Sequence, residues 1–407
     1  MKCRFCASST LFQVVDLGYA PPSNAYLSDE DLRAPEVHLP LRIYACSQCW
    51  LVQTEDYAAS TTLFTNDYAY FSSTSESWLR HAHDYTNSIV QQLTLKEHSL
   101  VIELASNDGY LLKNFVSKGI PCLGIEPTKA TAVAAEKIGI PVLREFFTEA
   151  LGKHLAATER SADLVIGNNV YAHVPDINDF TAGMARALKP EGVITLEFPH
   201  LLTLIDSCAF DTIYHEHYSY LSLSTVQQIF ASHSLRVWKV EKLTTHGGSL
   251  RVYGCHEAAS RHTEDNVKAL IDEEIAGGLR QVATYSLFRE RTVRIKHEFL
   301  RFLLQCRKNK TTVAAYGAAA KGSTLLNFSG VTPDLLPYVC DAAASKQGKY
   351  LPGSHIPILS PKVLSERQPD IVLLLPWNLR PELTESLDYV KKWGGTLATA
   401  IPSIELF

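Results

Sequence analysis

The chain has little that would take it to a membrane or to a nucleic acid. It holds no uninterrupted apolar run of about 18 residues, which excludes a helical membrane span. It opens MKCRFCASST, where no charged stretch precedes an apolar one, so no secretory leader is expected and the expected compartment is the cytoplasm. Charge of neither sign dominates: 38 Lys and Arg face 43 Asp and Glu, for a net charge of −5. Without a global basic field, neither nucleic acid nor anionic lipid is expected as a partner. No short repeat or low-complexity segment is present, which argues against a solenoid or a disordered chain. The nine cysteines are an odd number, and with no export leader they favour metal or thiol chemistry over a disulfide framework.

What is present suits a large folded protein. At 407 residues, 46% hydrophobic and 20% charged, the chain can build two to three domains with substantial cores. The rhythm changes twice. Residues 1–70 carry Cys, Pro, aromatics and short alternating runs such as LRIYACSQCWLVQ, the pattern of a small β-rich unit. Residues 71–257 contain HSLVIELASNDGYLLKNFVSKG, PCLGIEPTKATAVAAEKIG and ADLVIGNNVYAHVPD, each an apolar strand leading through a turn into a helix pattern, with the helix after the first turn read over YLLKNFV. That is the signature of βαβ units and a parallel sheet. Residues 258–407 begin with a proline-free, helically periodic stretch from about Asn266 to Lys308, which predicts one or two long helices. A second strand-turn-helix series follows, from TTVAAYGAAAKGSTLLNF to DIVLLLPWNL. The expected fold class is α/β, with a small N-terminal metal unit and two Rossmann-like domains.

Cys3 and Cys6, and Cys46 and Cys49, form two CxxC pairs around a unit with little core of its own. Each CxxC turn places two thiolates on one side of a tight loop, and two such turns complete a tetrahedral zinc site. Four thiolates leave no open coordination position, so this zinc is expected to hold structure. No Lys/Arg cluster lies between the pairs to suggest a nucleic-acid finger.

In the first strand-turn-helix unit, Glu103 is followed by Ala105, Ser106, Asn107 and Gly109, small residues that let the backbone approach a ligand at a helix start. Glu126 ends the next strand, LGIEP, at the position where an acidic side chain commonly holds a ribose diol. Ala105 and Asn107 stand where a dinucleotide turn wants glycine, which leaves less room for a diphosphate while an adenosyl group still fits. Asn168 and Asn169, after the third strand, offer amides to the cofactor or the substrate.

NDYAYFSSTS, ELASNDGYLL, GNNVYAHVPD, EFPHLLTLIDSCAFDTIYHEHYSYLS, THGGSLRVYG, YGAAAKGSTLLN and KQGKYLPGSHIPI, in this order and with the paired CxxC, resemble the zinc-containing sugar C-methyltransferases of deoxysugar biosynthesis. The resemblance spans nearly the whole chain. It implies a zinc domain, a central class I methyltransferase domain and a C-terminal Rossmann-like domain, with S-adenosylmethionine and zinc as cofactors. The implied substrate is a dTDP-linked 4-keto-deoxysugar, methylated on the carbon beside its ketone at C-3 or, in some members, C-5; C-3 is favoured here. Methylation at carbon needs a base, a partner for the enolate oxygen and an aligned methyl donor. By likeness to the family, His217 is the base, Tyr214 and Glu216 orient the sugar or polarise its ketone, and His173 lies at the substrate edge of the sheet. Tyr68 or Tyr70, from the connector after the zinc unit, covers the sugar.

Other turns remain open in their roles. His246, in the His-Gly-Gly-Ser turn, and Arg251 beside it suit the polar edge of a ligand, and the same residues suit a plain hairpin. Lys321, in the YGAAAKGS turn, and Asn378, after the last apolar strand, suit the nucleotide half of the substrate, as does a tight packing turn. An NAD(P)-dependent sugar-nucleotide oxidoreductase using that second turn is the rival enzyme, and a non-catalytic zinc-containing binding protein the rival from another class. Oligomeric state is not encoded legibly.

Overall fold

The computed structural model describes residues 1–55 and 71–407, arranged as three sheets joined by helices. Tyr68 and Tyr70 lie outside the described residues. Among those described, no helix is long and apolar enough to cross a membrane.

The first sheet is antiparallel and orders strands Leu11–Ala20, Leu39–Cys46, Val52–Thr54 and Ser219–Tyr220. Its fourth strand comes from the YHEHY region, pairing Val52 with Tyr220 and Gln53 with Ser219. The N-terminal unit is therefore completed by residues more than 160 positions downstream, which no local pattern announces. Its core is shared too: Val14, Leu41 and Ile43 pack in one cluster with Phe210, Phe299 and Leu326.

The second sheet has seven strands, in the order Leu235–Leu243, Ser249–His256, Leu188–Pro199, Ala162–Asn168, Val101–Leu104, Cys122–Ile125 and Val142–Leu143. The five from Leu188–Pro199 onward are parallel, and Ser249–His256 runs antiparallel beside them. Both faces are covered by apolar clusters, which is why the central strands read as continuous apolar runs rather than as alternation.

The proline-free stretch forms two helices, Asp265–Ala276 and Val282–Lys308. The break falls at Gly277 and Gly278, the second at φ +78°, where glycine adopts a left-handed conformation at little steric cost. The third sheet orders Ile358–Leu359, Val339–Cys340, Val313–Tyr316, Ile371–Leu374, Thr396–Thr399 and Glu405–Leu406, parallel except at the last pair. The mixed α/β architecture is the one read from the strand-turn-helix rhythm.

Candidate metal, cofactor and active sites

The four N-terminal sulfurs all lie within 4.8 Å of one another. Cys3 Sγ and Cys49 Sγ are 3.5 Å apart and Cys6 Sγ and Cys46 Sγ 3.6 Å. A Zn–S bond of about 2.3 Å in a tetrahedron implies S···S separations of about 3.8 Å. The cluster fits zinc. Cys3, Cys46 and Cys49 are buried and only Cys6 is exposed, so the ion would lie under the strand ends.

The cofactor turn is tighter than a helix start. Ala105 (φ +54°), Asn107 (φ +50°) and Gly109 (φ +77°) all adopt positive φ. The αR helix consequently spans only Lys113–Val116, three residues later than the expected YLLKNFV helix, and its dipole is correspondingly small. A Cβ at Gly109 would be strained: its φ of +77° is one that L side chains rarely adopt, and Ile140 Cδ1 at 2.3 Å would have to shift. Glu126 organises the turn: its carboxylate accepts from the backbone N–H of Asn107 at 3.0 Å and of Thr128 at 2.8 Å. Asn107 Oδ1 and Asp108 Oδ2 in turn accept from the amides of Ser72 and Ser73, tying the segment after the connector to this turn.

Several buried polar atoms around this turn and the neighbouring strand ends have no partner among the described residues. They are Glu103 Oε2, Ser106 Oγ, Asp108 Oδ1, both side-chain polar atoms of Asn168, and Asn169 Oδ1. Orphaned polar atoms are costly, and a concentration of them points to a ligand. Burial and the neighbouring charges of Asp108 and Glu126 hold the Glu103 carboxyl well above the usual carboxylate range. Three clustered acids, with no Lys or Arg bonded to them among the described residues, suit a cationic ligand and not a diphosphate. The ammonium, sulfonium and ribose of S-adenosylmethionine fit that donor and acceptor set.

The Tyr214–Tyr218 segment is fastened from three sides. Tyr218 N donates to Ala172 O (2.8 Å), Thr54 N to Tyr218 O (3.1 Å) and Thr54 Oγ1 to His217 O (3.0 Å). His217 is 7% exposed, and its ring lies 4.0 Å from that of Tyr214 and 4.6 Å from that of His173, centroid to centroid. Its Nδ1–H donates to Thr212 O at 2.8 Å, which leaves the proton on Nδ1 and a lone pair on Nε2. Burial, with the positive charges that His173, His246 and Lys321 would carry, holds its pKa well below the ordinary value. His173 donates from Nδ1 to Glu216 O (2.9 Å), and burial lowers it to about 4. Glu216 is 3% exposed, and Asn24 Nδ2 lies 2.9 and 3.0 Å from its two oxygens. His215 points away, with Nε2 donating to Pro40 O.

Lys321, His246 and Asn378 meet beside this group. Lys321 Nζ donates to His246 O (3.3 Å) and to Asn378 Oδ1 (3.1 Å), and lies 5.1 Å over the Trp377 ring. His246 Nε2 accepts from Asn169 Nδ2 at 3.0 Å, which links the end of strand Ala162–Asn168 to the turn between Leu235–Leu243 and Ser249–His256 of the same sheet. Arg251 is committed elsewhere: its guanidinium donates to the fully buried Glu197 at 2.8 Å and stacks 4.4 Å from the Tyr85 ring centroid. Glu197 also accepts from His81 (2.8 Å) and Thr245 (2.9 Å).

Sequence reasoning passed over His81, Glu197, Asp211 and Asn24 as site residues, and met Trp377 only as the neighbour of Asn378. Asp211 is fully buried, accepts from Trp377 Nε1 at 2.8 Å and is pushed up by burial to about 6. Asp211 and Trp377 sat inside motifs already noticed; His81 and Asn24 carried no local signal.

The YGAAAKGS turn is filled by the chain itself. Ala318 N donates to Asp341 Oδ2 (2.7 Å), Ala318 O accepts from Tyr26 (2.7 Å) and Lys346 (2.8 Å), and Ser323 Oγ donates to Ser23 O (3.2 Å). The turn's Ala318 amide and Asp341, the acidic residue after the next strand, are thus bonded to each other.

Comparison with known proteins gives three family descriptions in order along the chain. A putative zinc binding domain matches residues 3–64, a methyltransferase domain 78–240 and a C-methyltransferase C-terminal domain 244–402. The C-methyltransferase NovU of Streptomyces niveus is 34% identical over 401 residues, 98% of this chain and 95% of its own. An uncharacterized methyltransferase of Mycobacterium leprae is 27% identical over 119 residues, 28% of this chain and 44% of its own. Among solved structures, the PH0226 protein of Pyrococcus horikoshii OT3 aligns over 46% of this chain and 94% of its own, with 13% identity and a TM-score of 0.37.

Proposed function

Because the chain belongs to the zinc-containing C-methyltransferase family, whose members are S-adenosylmethionine-dependent enzymes, we propose that its acceptor is the carbon beside the ketone of a dTDP-linked 4-keto-deoxysugar. C-3 is the favoured position and His217 the base. The observation that carries this reading is the state of His217: buried, neutral and locked by Thr212 O into the tautomer whose Nε2 accepts a proton. A base held neutral far below its ordinary pKa is weak as an acid's partner in water. Beside a ketone polarised by a hydrogen-bond donor it needs to meet only an acidified C–H.

S-adenosylmethionine, when bound, supplies a methyl group on cationic sulfur, the electrophile that a carbon nucleophile requires. In this proposal Glu103, Ser106, Asn107, Glu126, Asn168 and Asn169 hold it, with Ala105 and Gly109 shaping the turn. His217 Nε2 takes the proton from the ring carbon. The electron pair of that C–H bond passes into the enolate, whose oxygen accepts from the Tyr214 hydroxyl in this proposal, with Tyr68 or Tyr70 the further phenol. Glu216 accepts from a sugar hydroxyl. His173 fixes the Tyr214–Tyr218 segment through Glu216 O and remains neutral beside the base. Lys321, Asn378 and His246 take the nucleotide half, Lys321 keeping its charge near the diphosphate, while Arg251 supports their strand through Glu197. Working boundaries are 1–70, 71–257 and 258–407.

The test is incubation with methyl-labelled S-adenosylmethionine and a panel of dTDP-4-keto-deoxysugars, with mass and NMR analysis of products. A new C–CH3 group beside the ketone is expected. Methyl transfer to oxygen or nitrogen, or none across the panel, would remove the proposal.

A further inference from the structure

The loop between strands Leu11–Ala20 and Leu39–Cys46 carries the zinc unit into the active site. It runs Pro-Pro-Ser-Asn-Ala-Tyr-Leu over residues 21–27. Asn24 presents its amide nitrogen to both Glu216 oxygens, at 2.9 and 3.0 Å, across 192 positions of sequence. An ionised carboxylate only accepts, so the nitrogen and not the oxygen of Asn24 must face it. The loop around Asn24 is held from the opposite side. Tyr26 OH donates to Ala318 O at 2.7 Å, Ser323 Oγ to Ser23 O at 3.2 Å, and Leu27 and Tyr350 exchange backbone bonds of 3.0 and 2.8 Å. The C-terminal turn and the candidate catalytic segment are thus both bonded to residues 23–26 of this loop.

We infer that Asn24 is a positioning residue: through it the zinc unit fixes the orientation of the buried Glu216 carboxylate. The amide nitrogen of Asn24 lies within hydrogen-bond reach of both carboxylate oxygens, so it sets the direction in which the carboxylate faces. The second role of the zinc unit follows: beside the Thr54 bonds to His217 O and Tyr218 O, it holds the Glu216 side chain itself. This rests on the reading of Glu216 as the residue that orients the sugar.

The test replaces a donor by a charge of the same shape. In Asn24→Asp, two carboxylates stand about 3 Å apart, and a like charge so placed raises a carboxyl pKa by ~1–3 units. Protein labelled with 13C at glutamate carboxyls, with the Glu216 signal assigned by its loss in Glu216→Gln, reports that titration without substrate. Among the described residues, the titratable groups near Glu216 include Tyr26, with Asp341 behind it, His173 on Glu216 O, and Tyr214 and His217 of its own segment; none is altered. Zinc content and calorimetric affinity for S-adenosylhomocysteine should equal wild type. The Glu216 signal should titrate ~1–3 units higher, and the acid limb of kcat/KM should move up with it. Should the aspartate variant not fold, Asn24→Ala serves, with a smaller upward shift from burial alone. An unmoved Glu216 titration in a folded variant overturns the Asn24 contact. A moved titration with an unmoved rate profile, and an active Glu216→Gln, overturns the inference from the other side, by removing Glu216 from substrate handling.

Discussion

His217→Asn isolates the base from the scaffold. The side-chain amide of asparagine can place Nδ2–H where imidazole Nδ1–H now donates to Thr212 O at 2.8 Å, so that carbonyl keeps its partner. What disappears is the Nε2 lone pair and part of a ring lying 4.0 and 4.6 Å from its Tyr214 and His173 neighbours. The packing loss should be about 1–2 kcal/mol, near the low end for truncation of a buried side chain. Fold, zinc and cofactor affinity should therefore survive. The chemical step should slow by about 10²–10⁴, or about 3–5 kcal/mol of barrier. The assay reads proton removal on its own: a 4-keto-sugar in deuterated water, with S-adenosylhomocysteine bound, should exchange its α-hydrogen in wild type and not in the variant. Wild-type exchange in a folded His217→Asn protein would refute the assignment and move the base to Glu216, Tyr214 or His173. Lost methylation with exchange intact would make His217 an orienting group instead.

Freshly purified protein should carry one zinc per chain; Cys46→Ser should lose it and lower the melting temperature, and metal analysis of either protein decides the matter. Glu126→Ala should weaken S-adenosylmethionine binding by ~1.5–3 kcal/mol or more, because it removes a ribose partner and the acceptor that holds the Asn107 and Thr128 amides; calorimetry showing wild-type affinity would displace the ribose site. Acid should destabilise the fold through its buried neutral histidines. His173 and His246 are lowered to about 4, so between there and the unfolded value near 6.5 the unfolded chain binds more protons, and stability rises with pH across that window. Each contributes roughly 2–3 kcal/mol at its acid end, allowing for partial exposure. His246→Asn should flatten the melting-temperature profile between pH 4 and 6.5, and an unchanged slope would show that the ring is protonated in the fold.

Much of this protein was legible residue by residue because the governing interactions are local. A CxxC turn needs only four consecutive residues to present two thiolates, so the metal site could be read from two such turns. Strand, turn and helix periods follow from backbone geometry, which is why the central sheet and the two long helices fell where expected, with Gly277 and Gly278 ending the first. The turn at 105–109 was recognisable by its small residues. Its backbone was not: three positive φ values delay the helix to Lys113, a consequence of how the turn packs on Ile140 and is bonded by Glu126.

Tertiary structure alone decided which distant groups share a site. Asn24 and Glu216, His81 and Glu197, and Lys321 and Asn378 are bonded across 192, 116 and 57 positions. No period or spacing links such pairs, because each is set by the docking of whole layers. Strand register set Arg251 directly opposite Glu197, while docking closed the YGAAAKGS turn with Tyr26, Asp341 and Lys346. A glycine- and alanine-rich turn leaves backbone amides and carbonyls available by composition; whether a ligand or the chain's own loop satisfies them depends on what packs against it. Here that neighbour is the zinc unit, brought there by a core it shares with the C-terminal helices.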